Sequence, residues 1–360
     1  KEEWKKCRFK DVVRLFRGSS PRPIIEYLTI DNEEGVNWVK IGDVPTSGRI
    51  ITSTEEKITK EGAKKSRHVY VGDLILSNSM SYGLPYIMGI EGCIHDGWFV
   101  LRDYEQNFNK DYLCNLLISD IVQKQYKKLA AGGVVQNISS DLVNSVFISI
   151  PSLDEQRKIA GLLSLIDERI ATQNKIIEKL ESLIKGIAQN IVRYNKPNVR
   201  LSDCLSCSSS ALQESDVSEH GTYPVYGANG IVGYLDNYNT ENEAIYIIKD
   251  GSGVGSTSYV TGKCSATGTL NILRAKEGYS LQYLYYMLKV FNFDPYKTGM
   301  AIPHIYFKDY GKAKVFCPTY KEQLQYARLL SAIDKRLTVE HGLLTSLSLQ
   351  KQYLLRQMFI

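Results

Sequence analysis

Two stretches of this sequence match each other without a gap: PSLDEQRKIAGLLSLIDERIATQNKIIEKLESLIKGIAQNI at 151–191 and PTYKEQLQYARLLSAIDKRLTVEHGLLTSLSLQKQYLLRQM at 318–358. They lie 167 positions apart. Each begins with proline, continues with Glu-Gln and then with Ser-X-Ile-Asp. One fixed offset covers all of these identities, so the chain contains an internal repeat.

Apolar residues recur in both stretches with the spacing of a coiled coil. Both copies also place a polar residue on the apolar seam, Gln173 in the first and Glu340 at the same offset in the second. Such a residue can fix how two helices pair. The apolar seam consists of Ile159, Leu163, Ile166, Ile170, Ile177, Leu180, Ile184, Ile187 and Ile191 in the first copy and of Tyr326, Leu330, Ile333, Leu337, Leu344, Leu347, Leu354 and Met358 in the second.

The length of the two stretches favours spacer helices over duplicated core helices. Neither holds a proline after its first residue, and at 1.5 Å rise per residue about 40 residues give a rod of roughly 60 Å. The capping-box spacing from Ser152 to Glu155 and from Thr319 to Glu322 marks both starts. Pro197 ends the first helix. Because the second helix can pack on the first only by running back along it, we predict an antiparallel coiled coil.

The remaining sequence is long enough for two globular domains, one ahead of each helix. In both, short β-branched runs alternate with amphipathic stretches, and the stretches at 110–129 and 280–290 each follow a strand that ends in Leu-Arg. We predict the class α+β: two similar mixed α/β domains separated by two long antiparallel helices, as a pseudo-two-fold internal repeat. The expected order is domain one (1–150), helix one (151–196), domain two (197–317) and helix two (318–360).

Charge and cysteine content give information about the compartment of the protein but do not identify its ligand. The chain has 44 basic and 39 acidic residues, and neither domain is basic, so composition alone does not point to nucleic acid. The seven cysteines are scattered without framework spacing. No signal peptide or long apolar run is present. We expect a reduced, cytoplasmic protein, and, because the chain begins at Lys1 without methionine, a few residues ahead of it.

Several short motifs occur in a fixed order along the chain. Each is weak alone, but the order is specific. The motifs are GSSP at 18–21, WVKIGD at 38–43, GDLIL at 72–76, YPVYG at 223–227 and the proline followed by Glu-Gln at both helix starts. With these motifs the sequence resembles, over essentially its whole length, the specificity subunit of type I restriction-modification systems.

The resemblance implies two target-recognition domains, each of which reads one half of a bipartite double-stranded DNA target. It also implies that the long helices hold the domains apart and dock two methyltransferase subunits. Restriction or translocase subunits would be further partners, and no membrane partner is implied. The chain itself would be non-catalytic, within a type I restriction endonuclease and adenine-N6 DNA methyltransferase complex. S-adenosylmethionine, ATP and Mg are expected on the partner subunits.

The search for catalytic and cofactor motifs agrees with a non-catalytic chain. Cys204 and Cys207 have the spacing of half a zinc site without a second pair at the companion distance. The loop GSGVGS at 251–256 lacks the Gly-Lys-Ser/Thr of a P-loop, and we interpret it as a turn that lets the backbone approach DNA. FDPY at 293–296 is one proline short of the Asp-Pro-Pro-Tyr motif of adenine methyltransferases. We predict no catalytic residue, no metal site and no cofactor bound by this chain.

The candidate DNA-binding residues carry hydrogen-bonding side chains in loops of the two domains, where a rigid scaffold can present them to the groove edges. Each could also be an ordinary surface residue, and the tyrosines could be packed aromatics. In domain one they are Arg67, His68, Ser77, Asn78, Ser79 and Tyr82, with Lys127, Lys128 and Gln136 as backbone or edge contacts. In domain two they are Tyr226, Asn229, Lys249, Ser252, Lys263, Thr267, Lys297 and His304.

Two other functions are compatible with parts of the sequence. A coiled-coil scaffold whose end domains bind proteins would explain the near-neutral domains equally well. A self-contained modification enzyme is disfavoured because the cofactor and catalytic motifs are missing. Protection of a split DNA site by the assembled complex distinguishes the specificity subunit from the scaffold.

Overall fold

The structure is a computed structural model that describes residues 4–31, 33–46, 48–79, 83–130, 137–299 and 302–359. It separates into two compact units, unit 1 with residues 1–171 and 345–360 and unit 2 with residues 172–344. The predicted plan kept helices and domains apart, whereas each unit takes part of both long helices. The reason is that seam residues of the helices complete the hydrophobic core of each unit.

Unit 1 is a mixed α/β structure ahead of the first long helix. Its helices are α1 (Lys60–Lys64), α2 (Lys110–Ile118), α3 (Asp120–Ala130) and α4 (Ser140–Ser145), followed by α5 (Leu153–Tyr194), which continues into unit 2. Its strands are β1 (Lys5–Arg8), β2 (Arg14–Arg17), β3 (Leu28–Thr29), β4 (Val36–Val39), β5 (Ile50–Ile51), β6 (Glu56–Ile58), β7 (Arg67–Val69), β8 (Leu74–Ser77), β9 (Pro85–Met88), β10 (Gly92–Ile94), β11 (Trp98–Arg102) and β12 (Phe147–Ile150).

The strands of unit 1 form three sheets. One has five strands in the order β2-β11-β8-β9-β5, and another has five in the order β3-β6-β4-β10-β7. Strands β1 and β12 pair antiparallel next to the start of α5. Strands β8 and β11 are buried along nearly their whole length, so this pair forms the centre of the unit and fixes where the loop after β8 emerges.

Unit 2 repeats this plan with fewer strands. Its strands are β13 (Val199–Arg200), β14 (Leu205–Ser209), β15 (Tyr223–Gly227), β16 (Gly230–Leu235), β17 (Ala244–Ile248), β18 (Thr257–Val260), β19 (Ser265–Ala266), β20 (Leu270–Ala275) and β21 (Lys314–Val315). Its helices are α6 (Leu201–Cys204), α7 (Leu281–Lys289) and α8 (Phe307–Tyr310), and α9 (Tyr320–Gln357) begins in unit 2 and ends in unit 1.

Each sheet of unit 2 matches part of a sheet of unit 1. The order β14-β20-β17-β18 matches β2-β11-β8-β9, and the pair β13–β21 matches β1–β12. The parallel pair β15–β19 takes the place of the parallel pair β4–β10. The mixed α/β class with two similar domains and two long helices is therefore confirmed.

Within each unit the parts of the two long helices pack side by side in opposite directions. In unit 1, Asp167 of α5 pairs with Lys351 of α9, and the core contains Ile159 together with Phe359. In unit 2, Gln173 bonds to Glu340, which is its own counterpart in the repeat, with its amide 3.0 Å from the Glu340 carbonyl oxygen. Both of these polar side chains are buried, as a polar seam residue that fixes helix pairing should be.

A buried glutamine near the start of each long helix ties that helix to its domain. Gln156 accepts a hydrogen bond from the amide of Asn109, the N-cap of α2, at 2.8 Å. It also donates to the carbonyls of Asn107 and Pro151, at 2.8 and 3.0 Å. The Glu-Gln pair at the helix start thus has a structural role that its spacing alone did not reveal.

Its counterpart makes the corresponding bonds in unit 2. Gln323 accepts from the amide of Ser280, the N-cap of α7, at 2.9 Å and donates to the carbonyl of Pro318 at 2.9 Å. Both glutamines are at most 1% exposed. Because every polar group of such a buried amide needs a partner, the bonds fix how each helix leaves its domain.

Candidate nucleic-acid interface

The loop that follows β8 in unit 1 is closed by hydrogen bonds across its base. The Ser77 amide donates to the Leu84 carbonyl at 3.0 Å, and the Gly83 amide donates to the Ser77 carbonyl at 2.7 Å. Gly83 has φ of 76°, and a Cβ at this position would lie 2.8 Å from the ring of Tyr126. Only glycine meets both conditions without strain.

The loop that follows β17 in unit 2 closes in the same way. The Ile248 amide donates to the Ser256 carbonyl at 3.0 Å, and the Gly255 amide donates to the Ile248 carbonyl at 2.9 Å. Gly255 has φ of 91° and lies against the ring of Phe293, 2.9 Å from a Cβ built at the glycine. A glycine with positive φ therefore rests on an aromatic ring at the same place in both units.

A second loop pairs with each of these loops through backbone hydrogen bonds. In unit 1 the Ile138 amide donates to the Asn78 carbonyl at 2.8 Å, and Ser79 pairs with Asn137. In unit 2 the Ile305 amide donates to the Lys249 carbonyl at 2.9 Å, and Asp250 pairs with His304. We call residues 78–79 with 137–138 loop junction 1, and residues 249–250 with 304–305 loop junction 2.

The two loop junctions correspond in bonding, and one segment of each also corresponds in sequence. Residues 137–138 and 304–305 are related by the same offset of 167 that relates the long helices. In both units a further bond holds the loop that follows the buried strand. The Asn78 amide donates to the Gly97 carbonyl at 2.9 Å, and the Lys249 amide donates to the Thr269 carbonyl at 3.0 Å. One backbone scaffold is therefore present in both units with different side chains on it.

Beside loop junction 1, two exposed arginines bond to Asp96, and a third bonds to one of them. Arg22 pairs with the Asp96 carboxylate at 3.0 Å, the Arg17 guanidinium donates to the Asp96 carbonyl at 3.2 Å, and Arg67 donates to the Arg17 carbonyl at 3.3 Å. The amide of the Asn78 side chain also donates to the Asp96 carbonyl, at 2.9 Å. Arginines held in this way suit contacts with phosphates and with guanine edges.

Charge at Asp96 is stabilised in spite of partial burial. Desolvation raises its pKa, but the Ser20 hydroxyl, the His95 ring and the Arg22 guanidinium outweigh that effect, so the pKa of Asp96 lies below its usual value. Burial lowers the pKa of His95. The cluster therefore presents an ionised carboxylate and a neutral imidazole beside the bonded guanidinium groups near neutral pH.

The other predicted residues of domain one are spread around this cluster. Arg67 contacts the ring of Phe16. His68, the next residue of β7, packs against Tyr70, and its Nδ1 lies 3.8 Å from a carboxylate oxygen of Glu91. Lys127 and Lys128 are exposed on the last turn of α3. Because α3 contacts the first loop through Gln123, whose amide donates to the Gly83 carbonyl, both lysines lie on the helix that supports this loop.

In domain two the structure brings four of the predicted residues together. Lys249 and His304 are part of loop junction 2, and the exposed Ser252 follows it in the same loop. Lys297 precedes Thr298, which pairs with His304, and it forms an ion pair with Asp294 at 2.7 Å. These side chains belong to one surface around the junction.

The remaining predicted residues of domain two lie along β15 and β19. Tyr226 packs against Tyr246 and accepts the Thr267 amide at its carbonyl, so it is partly a packed aromatic. Asn229 is exposed in the turn between β15 and β16. Lys263 lies over the rings of Tyr223 and Tyr238, at the opposite end of β15, and is separated from the other candidates.

Three of the predicted side chains are buried, and direct contact with DNA is therefore not supported for them. Ser77, Asn78 and Thr267 are at most 2% exposed, and each bonds within its own unit: Ser77 to Leu84, Asn78 to Asp96 and Thr267 to Thr269. They hold the loops in place. Tyr82 and Gln136 lie outside the described residues.

Several residues of this surface were missed by reasoning from sequence. They are Arg17, Arg22, Asp96, Asn137 and Asp250. Arg17 and Arg22 flank the GSSP motif at 18–21, but that motif does not show which neighbouring side chains reach the surface. Asp96 is acidic, so hydrogen-bond donation to DNA does not predict it. The offset of 167 would have found Asn137, since it is the counterpart of the predicted His304.

The segments considered for other chemistry have structural roles. Cys204 interacts with the buried Cys317 rather than forming a pair with Cys207. Phe293 of the FDPY segment packs against Tyr310 and beneath Gly255. Among the described residues, no cluster of His, Cys, Asp or Glu could hold a metal ion. In the same part of the chain no helix is both long and apolar enough to cross a membrane.

Comparison with known proteins assigns this architecture to a family. The family model described as "Type I restriction modification DNA specificity domain" matches residues 1–182 and again residues 198–349. The two matches contain the two loop junctions, one in each.

Similar proteins carry the same description. The EcoprrI type I specificity subunit of Escherichia coli is 19% identical over 83% of this chain and 80% of its own length. A putative type I specificity subunit of Mycoplasma genitalium is 26% identical over 66% and 68%. A crystal structure of an S subunit from M. genitalium, 18% identical, shares the fold with a TM-score of 0.64 over 99% of this chain and 96% of that one. The chain belongs to the family of type I restriction-modification DNA specificity subunits.

Proposed function

We propose that each unit reads one half of a bipartite double-stranded DNA target and that the long helices place two methyltransferase subunits on it. The observation that carries this proposal is the repetition of one buried scaffold with different exposed side chains. The two junctions share their backbone bonds, and different side chains on this shared frame would give two different sequence preferences.

The long helices support docking of two equal partners. Besides the buried seam, each helix leaves apolar side chains exposed at counterpart positions: Leu162 and Leu329 are 41% and 51% exposed, and Ile176 and Leu343 are 37% and 46% exposed. Apolar residues at helical spacing on an outer face are typical of a surface that another helix covers. Because the positions repeat, two copies of one subunit could bind in the same way.

The chemistry is assigned to the partner subunits. We propose that this chain is non-catalytic and that S-adenosylmethionine, ATP and Mg bind to methyltransferase and restriction subunits of an adenine-N6 methylating complex. Because the target is the DNA of the cell, the proposed place of action is the cytoplasm. The bound DNA would be contacted at phosphates by Arg17, Lys127 and Lys297 and at bases by residues of the two junctions.

The proposed function is tested by mapping methylation. The chain is co-expressed with the methyltransferase subunit encoded beside it, and methylated adenines are located across a bacterial genome by single-molecule sequencing. A split motif with two short defined halves and a fixed gap supports the proposal. A stable complex that yields no motif contradicts it and supports the protein-binding scaffold instead.

Docking on the exposed apolar residues of the long helices is tested by counting the bound methyltransferase subunits. Replacing Leu162 and Ile176 with aspartate removes apolar area from the outer face of α5 and should reduce the bound methyltransferase subunits from two to one in native mass spectra. Replacing the exposed polar residues Glu168 and Lys175 with alanine on the same helix is the control. Two bound subunits in the aspartate variant would contradict docking at these residues.

The role of helix length is tested by duplicating the matched heptads 170–176 and 337–343, which keeps the polar pair Gln173–Glu340 and the exposed Ile176 and Leu343. Seven residues correspond to about 10 Å of helix, or about three base pairs of DNA. We expect the gap of the methylated motif to lengthen while both half-sites keep their sequence. Altered half-site sequences would contradict the proposal that the helices set the spacing alone.

A further inference from the structure

The two loop junctions contain side chains whose position in the backbone pairing directs them away from the core. In an antiparallel bridge, two residues directly opposite each other project to the same face, and their neighbours in sequence project to the other face. The neighbours here, Ile138 and Ile305, are at most 3% exposed. The opposed residues therefore face outward: Ser79 with Asn137, and Asp250 with His304.

We propose that these two outward pairs, Ser79–Asn137 and Asp250–His304, are the base-reading side chains of the two units. This inference rests on the proposed function and names the residues that distinguish one half-site from the other. Asn137 is exposed, and the other three side chains are partly exposed. They occupy corresponding backbone positions, differ in chemistry and so meet the requirement for two different readouts on one scaffold.

The scaffold holds the outward pairs rigidly enough to discriminate bases. Each pair is fixed by an amide-to-carbonyl bond of 2.8 or 2.9 Å beside it, by a second bond to the strand behind it, and by a glycine that rests on an aromatic ring. Rigid backbone support is what direct readout needs, because a bidentate contact tolerates little displacement.

The chemistry of each pair indicates which base edges it suits. The Asn137 amide can donate and accept at once, which matches the N6 and N7 edge of adenine. The Asp250 carboxylate only accepts hydrogen bonds when ionised, which matches the N4 amino group of cytosine. We infer that junction 1 reads an adenine in its half-site and that junction 2 reads a cytosine in the other.

The test uses the complex of the full chain with its methyltransferase subunit. Binding is measured to duplex libraries in which each position of both half-sites carries all four bases. For Asp250→Asn we expect discrimination at one position of the second half-site to change by roughly tenfold or more, while the first half-site is read as before. Glu277→Gln, an exposed acidic residue in a turn of the same unit, is the charge-matched control and should change nothing.

The matching variant in unit 1 is Asn137→Ala, with the exposed Ser53→Ala as its control. It should relax one position of the first half-site and leave the second intact. Asp250→Ser is a second variant of junction 2 in case the amide impairs assembly, and it should relax the same position as Asp250→Asn.

The outcomes separate this inference from the proposed function. If the wild-type complex selects no split motif, the proposed function fails. If the wild-type complex selects a split motif but the variants discriminate within twofold of wild type at every position, whether or not overall affinity falls, the outward pairs do not read bases. Each half-site is also an internal control, because the unmodified unit must still read its own half.

Discussion

The two units differ most where they face outward and least where they are buried. At the starts of the long helices, Gln156 and Gln323 make corresponding bonds to the N-caps of α2 and α7. At the loop junctions the backbone bonds correspond too, but Asn137 is replaced by His304. The comparison teaches that the repeat preserves geometry through buried side chains and backbone groups and leaves the exposed side chains free to diverge.

The largest expected effect comes from removing the buried glutamine. Gln156→Leu leaves the Asn109 amide and the carbonyls of Asn107 and Pro151 without their partner, and we expect a loss of about 3 kcal/mol in the free energy of unfolding, because unsatisfied buried groups cost about 1–3 kcal/mol each and some gain water. Gln323→Leu should have a comparable effect. Urea denaturation followed by circular dichroism measures both.

Gln189→Leu, at an exposed position of α5, is the control for these variants and should change the free energy of unfolding by less than about 0.5 kcal/mol. If the losses in free energy of unfolding for Gln156→Leu and Gln323→Leu differ by more than a factor of two, the two helix starts are not energetically equivalent. The buried contacts of the two units would then correspond in geometry but not in energy.

The polar seam pair of unit 2 should show a coupling. The hydrogen bond from Gln173 and the nearby Arg336 lower the pKa of Glu340. Gln173→Leu removes that hydrogen bond from the carboxylate and should lower the free energy of unfolding, by less than Gln156→Leu does. Adding Glu340→Leu should recover most of this loss, since an apolar seam pair packs well. A double-mutant cycle of thermal unfolding measures the coupling, and additive effects would count against it.

The glycine that closes each reading loop gives a smaller effect. Gly255→Ala places a Cβ against the Phe293 ring at a φ of 91°, and we expect a loss of roughly 2 kcal/mol. Gly262→Ala is the matched control, since its φ of 77° is similar but nothing lies within 4 Å of the added Cβ. It should lose about half as much.

Readout gives a second measure of the same substitution. Gly255→Ala should weaken recognition of the second half-site only, and Gly83→Ala of the first half-site only, in the library experiment described above. Equal losses for both half-sites would show that the loops do not act independently.

The smallest effect concerns pH. Burial lowers the pKa of His95, so below pH about 6.5 the unfolded chain binds a proton that the folded chain resists. Stability of unit 1 should therefore fall as the pH drops below this value, by less than about 1 kcal/mol because solvent screens the partly exposed ring. Nearby Asp96, Lys40 and Asp43 also act on His95.

The pH dependence is assigned with His95→Gln. Free energies of unfolding of the wild type and the variant are compared at pH 7.5, 6.5 and 5.5. Thr267 stands in the equivalent place before β20 in unit 2, so the contribution that His95→Gln removes belongs to unit 1. An unchanged slope in the variant would assign the dependence to other groups.

Much of the fold follows from the sequence because the repeat is long and periodic. The seam from Leu163 to Ile191 predicts α5, and the shared offset of Gln173 and Glu340 predicts that both take part in helix pairing. Apolar periodicity alone does not show which part of a long helix joins a domain core: Ile159 lies in the core of unit 1 and Ile184 in the core of unit 2.

The candidate site was only partly predictable, because burial depends on long-range contacts. Ser77 and Asn78 have suitable chemistry for DNA contact, but neighbours far away in sequence, such as Asp96, use their hydrogen bonds. Residues 79 and 137 pair with each other although they lie far apart in the sequence. A local sequence pattern cannot predict such a pairing. What the sequence does supply is the offset of 167, which leads from residues 137–138 of one junction to residues 304–305 of the other. It does not lead from residues 78–79 to residues 249–250, because the loops between them and the repeat differ in length.

The hydrogen bonds of the loop junctions join main-chain amides to main-chain carbonyls. These groups are the same for every residue except proline, so substitutions at positions 79, 137, 250 and 304 leave the bonds in place. Mutations can therefore replace the proposed base-reading side chains one at a time, and each resulting protein keeps its fold. In the proposed function, this tolerance lets the recognised DNA sequence change while the loop structure keeps its stability.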